Sequence, residues 1–196
     1  MIRVAMIIPD NREEHHLYDA PEPAFGPAPL ALLRGFSRLN GVRVDVVSCT
    51  KRPLRAPVEV MPNVTYHSVL VHQGGWLRTL YAGCVHGIRK KLRELNPDIV
   101  HGSGTERYCA IAAALSGYPN VVTIHGNMRQ IAQFYRAGPL SYLWLSGVIE
   151  RFSVRRTAGV ICLSRHVEDQ VRDASPRTWL IPNAVDPAFC DLKAQP

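Results

Sequence analysis

Residues 96–127, NPDIVHGSGTERYCAIAAALSGYPNVVTIHGN, restrict the folds open to this chain more than any other stretch. Residues 98–101 form a short apolar run that closes on His101-Gly102-Ser103-Gly104. Ser103 and Glu106 stand three apart, the spacing of a capping box, and predict a helix start at that point. Tyr108, Ile111, Ala112 and Leu115 then recur at helical spacing, which gives that helix one apolar face. Gly117 and Pro119 end it. Residues 121–124 begin a second β-branched run, which closes on His125-Gly126-Asn127. The pattern is a βαβ unit with its polar chemistry gathered where each strand ends, and open parallel sheets bind ligands outside those ends.

The same alternation runs through the rest of the chain. Residues 2–8 are a continuous apolar run, the mark of a strand buried on both faces. Residues 10–29 make a long polar connection containing Pro21, Pro23, Pro27 and Pro29, and loops of that length in compact domains are often functional. A helix follows with Leu30, Leu33, Phe36 and Leu39 inward. Next come a strand at 42–47, a proline-rich connection at 51–62 and a strand at 64–71. Gly74-Gly75 introduces a long helix whose apolar stripe includes Leu77, Leu80, Cys84, Ile88, Leu92 and Leu95. Beyond the central unit, helices are predicted at about 128–137 and 140–156, the second with Leu140, Leu143, Trp144, Val148 and Phe152 on its inner face. A strand at 160–163, a helix at 165–174 capped by Ser164 and a strand at 179–181 complete the series. Strands alternating with helices over short turns predict an α/β fold, a Rossmann-like doubly wound parallel sheet with helices on both faces. Residues 1–181 read as that single domain and residues 182–196 as the start of an interdomain linker.

A length of 196 residues is enough for one such domain with a real core. Cys49, Cys84, Cys109, Cys162 and Cys190 are odd in number, widely spaced and set in apolar segments. They read as buried, reduced thiols of a cytoplasmic protein, not as a disulfide framework or a metal site. The net charge of +7 calls for an anionic partner: nucleotide phosphates, an anionic membrane or nucleic acid. It is concentrated in Arg89, Lys90, Lys91 and Arg93, and again in Arg151, Arg155 and Arg156. Both groups fall in the last turns of predicted helices, where cations also complement the helix dipole, so a binding face and a solvated helix end remain open. No apolar run approaches the roughly 20 residues that span a bilayer.

Few motifs carry chemistry. No GxGxxG follows the first strand. Gly26 stands alone in Phe25-Gly26-Pro27 before a predicted helix, where it could let a phosphate approach or serve as a plain turn glycine. His101 and His125 end neighbouring strands and each precedes a glycine, so they could share a cleft or be ordinary packed histidines. No third ligand stands at a metal-like spacing, and no metal is expected. Gly102, Ser103 and Gly104 could form an amide-rich turn for an oxygen-bearing ligand, or simply a helix cap. Nucleophile elbow, P-loop and paired-carboxylate patterns are missing.

Four segments in order, PDIVHGSG, VVTIHGN, GVICLSRHVEDQV and WLIPNAVDPAF, resemble the N-terminal domain of GT-B glycosyltransferases of the large family-four type. Nearly all of residues 2–189 fits, and Pro182-Asn183-Ala184-Val185-Asp186 is similar to the family's Pro-Asn-Gly-Val-Asp at the domain junction. The resemblance implies one half of a GT-B fold and retaining transfer from a nucleotide-sugar donor to a glycan, lipid-linked or small-molecule acceptor, as in polysaccharide biosynthesis. It implies no cofactor. It makes His125 the catalytic histidine, puts Gly26 and Asn183 on the donor side, and puts His101, Gly102, Ser103, Gly104, Thr105, Asn127 and Arg129 on the acceptor side.

In such a family the partner of this domain is a C-terminal donor domain, which brings paired glutamates and the cations that stabilise the leaving diphosphate. Without it the chain is expected to be inactive and to expose an interdomain face through which it could form a homo-oligomer. Peripheral contact with an anionic membrane at the inner face of the cell is a further expectation, through the basic helices. No nucleic acid partner is implied. A stand-alone Rossmann-like module for nucleotides or anions is an alternative, as is a fragment of a GT-B sugar-nucleotide epimerase, which would need carboxylates in the cleft.

Overall fold

The first apolar run becomes strand β1 (Ile2–Ile7), which lies inside the sheet with β2 (Val42–Thr50) on one side and β5 (Ile99–Ser103) on the other. The computed structural model describes residues 1–183 and residue 185. Ala184, Asp186, Cys190 and most of the predicted linker lie outside the described residues. Alternation along β1 feeds two cores. Ala5 and Ile7 face α3 (Ala82–Leu95) and α4 (Tyr108–Ala114), while Val4, Met6 and Ile8 share a cluster with Leu33 of α2 (Pro27–Phe36).

The remaining strands are β3 (Glu59–Met61), β4 (Val64–Leu70), β6 (Asn120–Ile124), β7 (Val160–Cys162) and β8 (Thr178–Leu180). The sheet order is β3-β4-β2-β1-β5-β6-β7-β8. Strand order therefore reverses between β1 and β5, the place where such sheets bind ligands. The expected parallel sheet needs one correction: the proline-rich connection contains β3, which pairs antiparallel with β4 at the edge.

The long loop after β1 is organised by a buried ion pair. Asp10 caps the short helix α1 (Asn11–His15) and pairs with Arg12 at 2.8 Å, both side chains fully buried. Arg12 also donates to the carbonyls of Ala20 and Arg55, and the Tyr66 hydroxyl donates to Asp10. A charge so buried persists only when its hydrogen-bonding capacity is met, so this network fixes the path leading to α2.

Two expected helix starts move. Leu77 and Leu80 lie ahead of α3 in a 3-10 turn and its left-handed cap, and the helix begins only at Ala82. Ser103 belongs to β5, not to a helix cap, because its pairing with Thr123 of β6 carries the strand through it. The N-cap of α4 is Arg107, which makes no side-chain capping bond.

Helices α5 (Met128–Phe134) and α6 (Tyr142–Arg156) follow β6, and α7 (Arg165–Val171) follows β7 with Ser164 as its cap, as expected. The inner face of α6 is not the predicted one. Ser146, Gly147, Ile149, Glu150, Ser153 and Val154 are buried, whereas Leu140, Trp144, Val148 and Phe152 are exposed. Close helix packing contributes: a Cβ on Gly147 would lie 3.1 Å from the Cα of Arg129, so at this position a large side chain would crowd α5.

Candidate active site

Helices α3, α4, α6 and α7 pack on one face of the sheet, because Val100, Val122 and Ile124 point to their cores. The opposite parity sends Ile99, His101 and Ser103 of β5, and Val121 and Thr123 of β6, to the other face. There they floor a groove of about 320 Å³ that also takes in His125. Ala28, Pro29 and Leu32 of α2 form one wall, and Ile181, Pro182 and Asn183 form the other.

Two hydrogen bonds cross the floor between β5 and β6. His101 Nε2 lies 2.7 Å from Thr123 Oγ1, and His125 Nε2 lies 3.1 Å from Ser103 Oγ. Burial pushes His101 down to about 4, and the charge of neighbouring His125 acts in the same direction. Burial also lowers His125, opposed by the carboxylate of Glu106. Both imidazoles are thus biased to the neutral form. Among the described residues Nδ1 of His125 has no partner, which leaves a polar atom of a neutral ring available to a ligand.

The glycines of the first turn divide in role. A Cβ on Gly102 would meet the carbonyl oxygen of Cys109 at 2.7 Å, so this glycine lets α4 pack directly on β5. Gly104 has φ +90° and turns the chain off the strand end, against the carboxylate of Glu106. The predicted amide-rich turn at 102–104 is therefore mostly strand.

Behind the turns sits Glu150 of α6, buried and raised from the usual carboxylate range by that burial. It accepts from Thr105 Oγ1 at 2.6 Å and from the backbone amides of Met128 at 2.9 Å and Arg129 at 3.1 Å. One carboxylate thereby ties together the turn after β5 and the start of α5. Asn127 caps α5 by accepting from the Gln130 amide, and its side-chain nitrogen donates to Gln170.

The fold brings His101, Ser103, His125 and Asn183 to one groove, with Ala28 and Pro29 just past Gly26. It holds the others apart from that groove. Thr105 and Asn127 are tied up in internal bonds, and Arg129 turns outward to line a separate cleft with Gln133 and Arg151. Gly26 is the N-cap of α2 at φ −61°, a conformation open to any residue. Pro27 and Pro29 have no N–H, so this helix start offers a phosphate only the amides of Gly26 and Ala28. Sequence reasoning missed Thr123, Glu106 and Glu150. The first stands two before His125, and strand alternation carried one residue past the end of β6 puts both at the groove.

Among solved structures, a sucrose-phosphate synthase from Thermosynechococcus elongatus matches at 15% identity, covering 99% of this chain and 53% of that one, with a TM-score of 0.58. UGT2 of Phytolacca americana, complexed with UDP-2fluoro-glucose and pterostilbene, matches at 9% identity over 97% of this chain and 56% of that one, with a TM-score of 0.62. A putative UDP-N-acetylglucosamine 2-epimerase from Listeria monocytogenes matches at 13% identity over 88% of this chain and 42% of that one, with a TM-score of 0.50. These likenesses concern the fold, a Rossmann-like half of GT-B architecture, and the chain spans about half the length of each of these proteins. No curated protein sequence matches. The sequence profile described as Glycosyltransferase Family 4 matches residues 30–189, a span that holds the whole groove floor from β5 to β7 together with Asn183. With that match over most of its length, the chain belongs to Glycosyltransferase Family 4.

Proposed function

We propose that the chain is the acceptor-side half of a retaining enzyme that moves a hexosyl group from a nucleotide sugar to a glycan, lipid-linked or small-molecule acceptor. The observation that carries this reading is His125. It stands just past the carboxyl end of β6, its ring biased to neutral, held by Ser103 through Nε2 and, among the described residues, without a partner at Nδ1. A neutral imidazole fixed in this way can hydrogen-bond a sugar hydroxyl or carbonyl without adding charge at the reacting carbon.

Among the described residues, those that line the groove include no lysine or arginine. Departure of a nucleoside diphosphate builds negative charge that preorganised cations must meet. Those cations would come from a C-terminal donor domain packed across the groove, with Asn183 at the junction and Gly26 near the donor. On this reading the chain alone transfers no sugar, needs no metal or other cofactor, works in the cytoplasm, and self-associates through the uncovered sheet face when the partner domain is absent. A lipid-linked acceptor would bring the enzyme to a membrane, and the arginines of α6 supply charge for that contact.

The test is turnover of the two-domain protein with a panel of nucleotide sugars. His125→Ala is expected to lower it by about a hundredfold with an unchanged fold, a loss typical of a group that acts at the transition state. Unchanged turnover would make His125 structural. A second reading rests on Glu106, whose carboxylate beside His125 is what a sugar-nucleotide epimerase would require. Conversion of a nucleotide sugar to its epimer with no acceptor present would favour it.

A further inference from the structure

The outer face of α5 and α6 is apolar, aromatic and basic at once. Phe134, Tyr135, Leu140, Trp144, Val148 and Phe152 are all exposed, between 37% and 80%. On α6, Trp144, Val148 and Phe152 follow one another at four-residue spacing, so they form a continuous stripe. Five arginines flank it, at 129, 136, 151, 155 and 156, and the one acidic residue in residues 128–156 is Glu150, which is buried. Trp144, Val148, Arg129, Arg136 and Arg151 share one shallow cleft, and Arg156 lies 5.0 Å from the Phe152 ring. Among the described residues no carboxylate pairs with any of the five.

We infer that this face docks on an anionic lipid bilayer, with the aromatic stripe entering the headgroup region and the arginines engaging lipid phosphates. The inference rests on the proposed function for its meaning, since the face adjoins the acceptor side: Tyr142 at the start of α6 donates to the Glu106 carbonyl. Three observations select the occupant. A second copy of the chain, joined about a two-fold axis, would set arginines against arginines with no acid between them. A domain closing over the groove would sit on the other face of the sheet from α6. A helix with aromatic residues and arginines along one exposed side has the composition of an interfacial segment, in which apolar bodies go down and cationic tips stay at the phosphates.

The other basic helix differs. The apolar stripe of α3 is buried through Cys84, Val85, Ile88, Leu92 and Leu95, and the cleft that Arg89 and Arg93 line has, among the described residues, Leu80 as its one exposed large hydrophobic residue and no aromatic one. The exposed aromatic stripe thus distinguishes the α6 group, and membrane contact is assigned to it and not to α3.

The experiment is vesicle flotation of the chain with phosphatidylcholine alone and with phosphatidylcholine mixed with phosphatidylglycerol, at low and at high salt. The chain should float with the anionic vesicles at low salt and be released by salt. Phe134→Ser with Trp144→Ser, and separately Arg136→Glu with Arg151→Glu, should each weaken binding by about tenfold or more. Arg89→Glu with Arg93→Glu should leave it unchanged. Equal binding to neutral vesicles, equal loss in the α3 variant, or no binding to either vesicle would overturn the inference. So would a dimer in light scattering that the Phe134 and Trp144 substitutions dissolve, since it would assign the face to a second copy. Sugar transfer to a soluble acceptor needs no vesicle. Failure of the unsubstituted chain to bind anionic vesicles while the two-domain protein transfers sugar therefore counts against this inference alone, and absence of transfer with vesicle binding present counts against the reading of the groove alone.

Discussion

His101 and His125 look alike in the sequence, each a histidine before a glycine at a strand end, yet the fold gives them different surroundings. His101 is buried against Thr123, while His125 is half-buried at the groove with one nitrogen open. For His101 the folded value of about 4 lies below the ordinary 6.5, so the unfolded chain takes up the proton first as pH falls. Its contribution to stability is complete above about pH 6.5 and is lost progressively down to about pH 4, about 3 kcal/mol in all. Chemical unfolding at several pH values should show His101→Gln losing less stability than the parent chain across that window. Parallel losses would contradict the assignment. Glu150 carries a second prediction at this scale. Glu150→Ala strands the Thr105 hydroxyl and the amides of Met128 and Arg129, and should cost about 3 kcal/mol in urea unfolding, as burying unpaired polar groups does. A loss within about 0.5 kcal/mol, typical of surface substitutions, would show that water replaces the carboxylate.

Among the elements, the strands were the most legible. Alternation in residues 98–103 and 121–125 fixes which side chains share a face, and the groove floor follows from that parity. The Ser103-to-Glu106 spacing misled because a local capping motif competes with strand pairing, and β5 stays paired with β6 through Ser103. Helix α6 was misread for a deeper reason. Periodicity identifies an apolar stripe but not the neighbour it meets, and here a close crossing with α5 places Gly147 inside. Gly147→Leu tests that account. Its side chain would push on the Arg129 backbone, and overpacking of this kind costs about 1–3 kcal/mol in thermal or urea unfolding. Stability equal to the parent chain would show that α5 can move aside. The start of α3 was misplaced because the apolar pattern runs on into a 3-10 turn ending at Leu80, whose φ of 49° stops the helix from extending back.

Over the whole molecule, the central feature is an unequal sheet. Four helices cover one face, and on the other α2 covers the β1 and β2 side while the groove stays open over β5, β6 and β7. Parallel sheets are stable when both faces are buried, and the polar groups that could act on a sugar lie on this open floor. The motif order in the sequence was enough to suggest the family, and the family match bears that out. Glu106 and Glu150 were not legible because their roles arise from contacts across the turns after β5 and β6. With no lysine or arginine among the described residues that line the groove, the proposed transfer depends on a second domain. Sugar-transfer turnover is therefore the most direct test, measured for the chain alone, for the two-domain protein, and for that protein with His125→Ala. The account predicts no transfer by the chain alone, transfer by the two-domain protein, and about a hundredfold loss with His125→Ala at unchanged stability. Transfer by the chain alone, or full activity without the His125 imidazole, would contradict it.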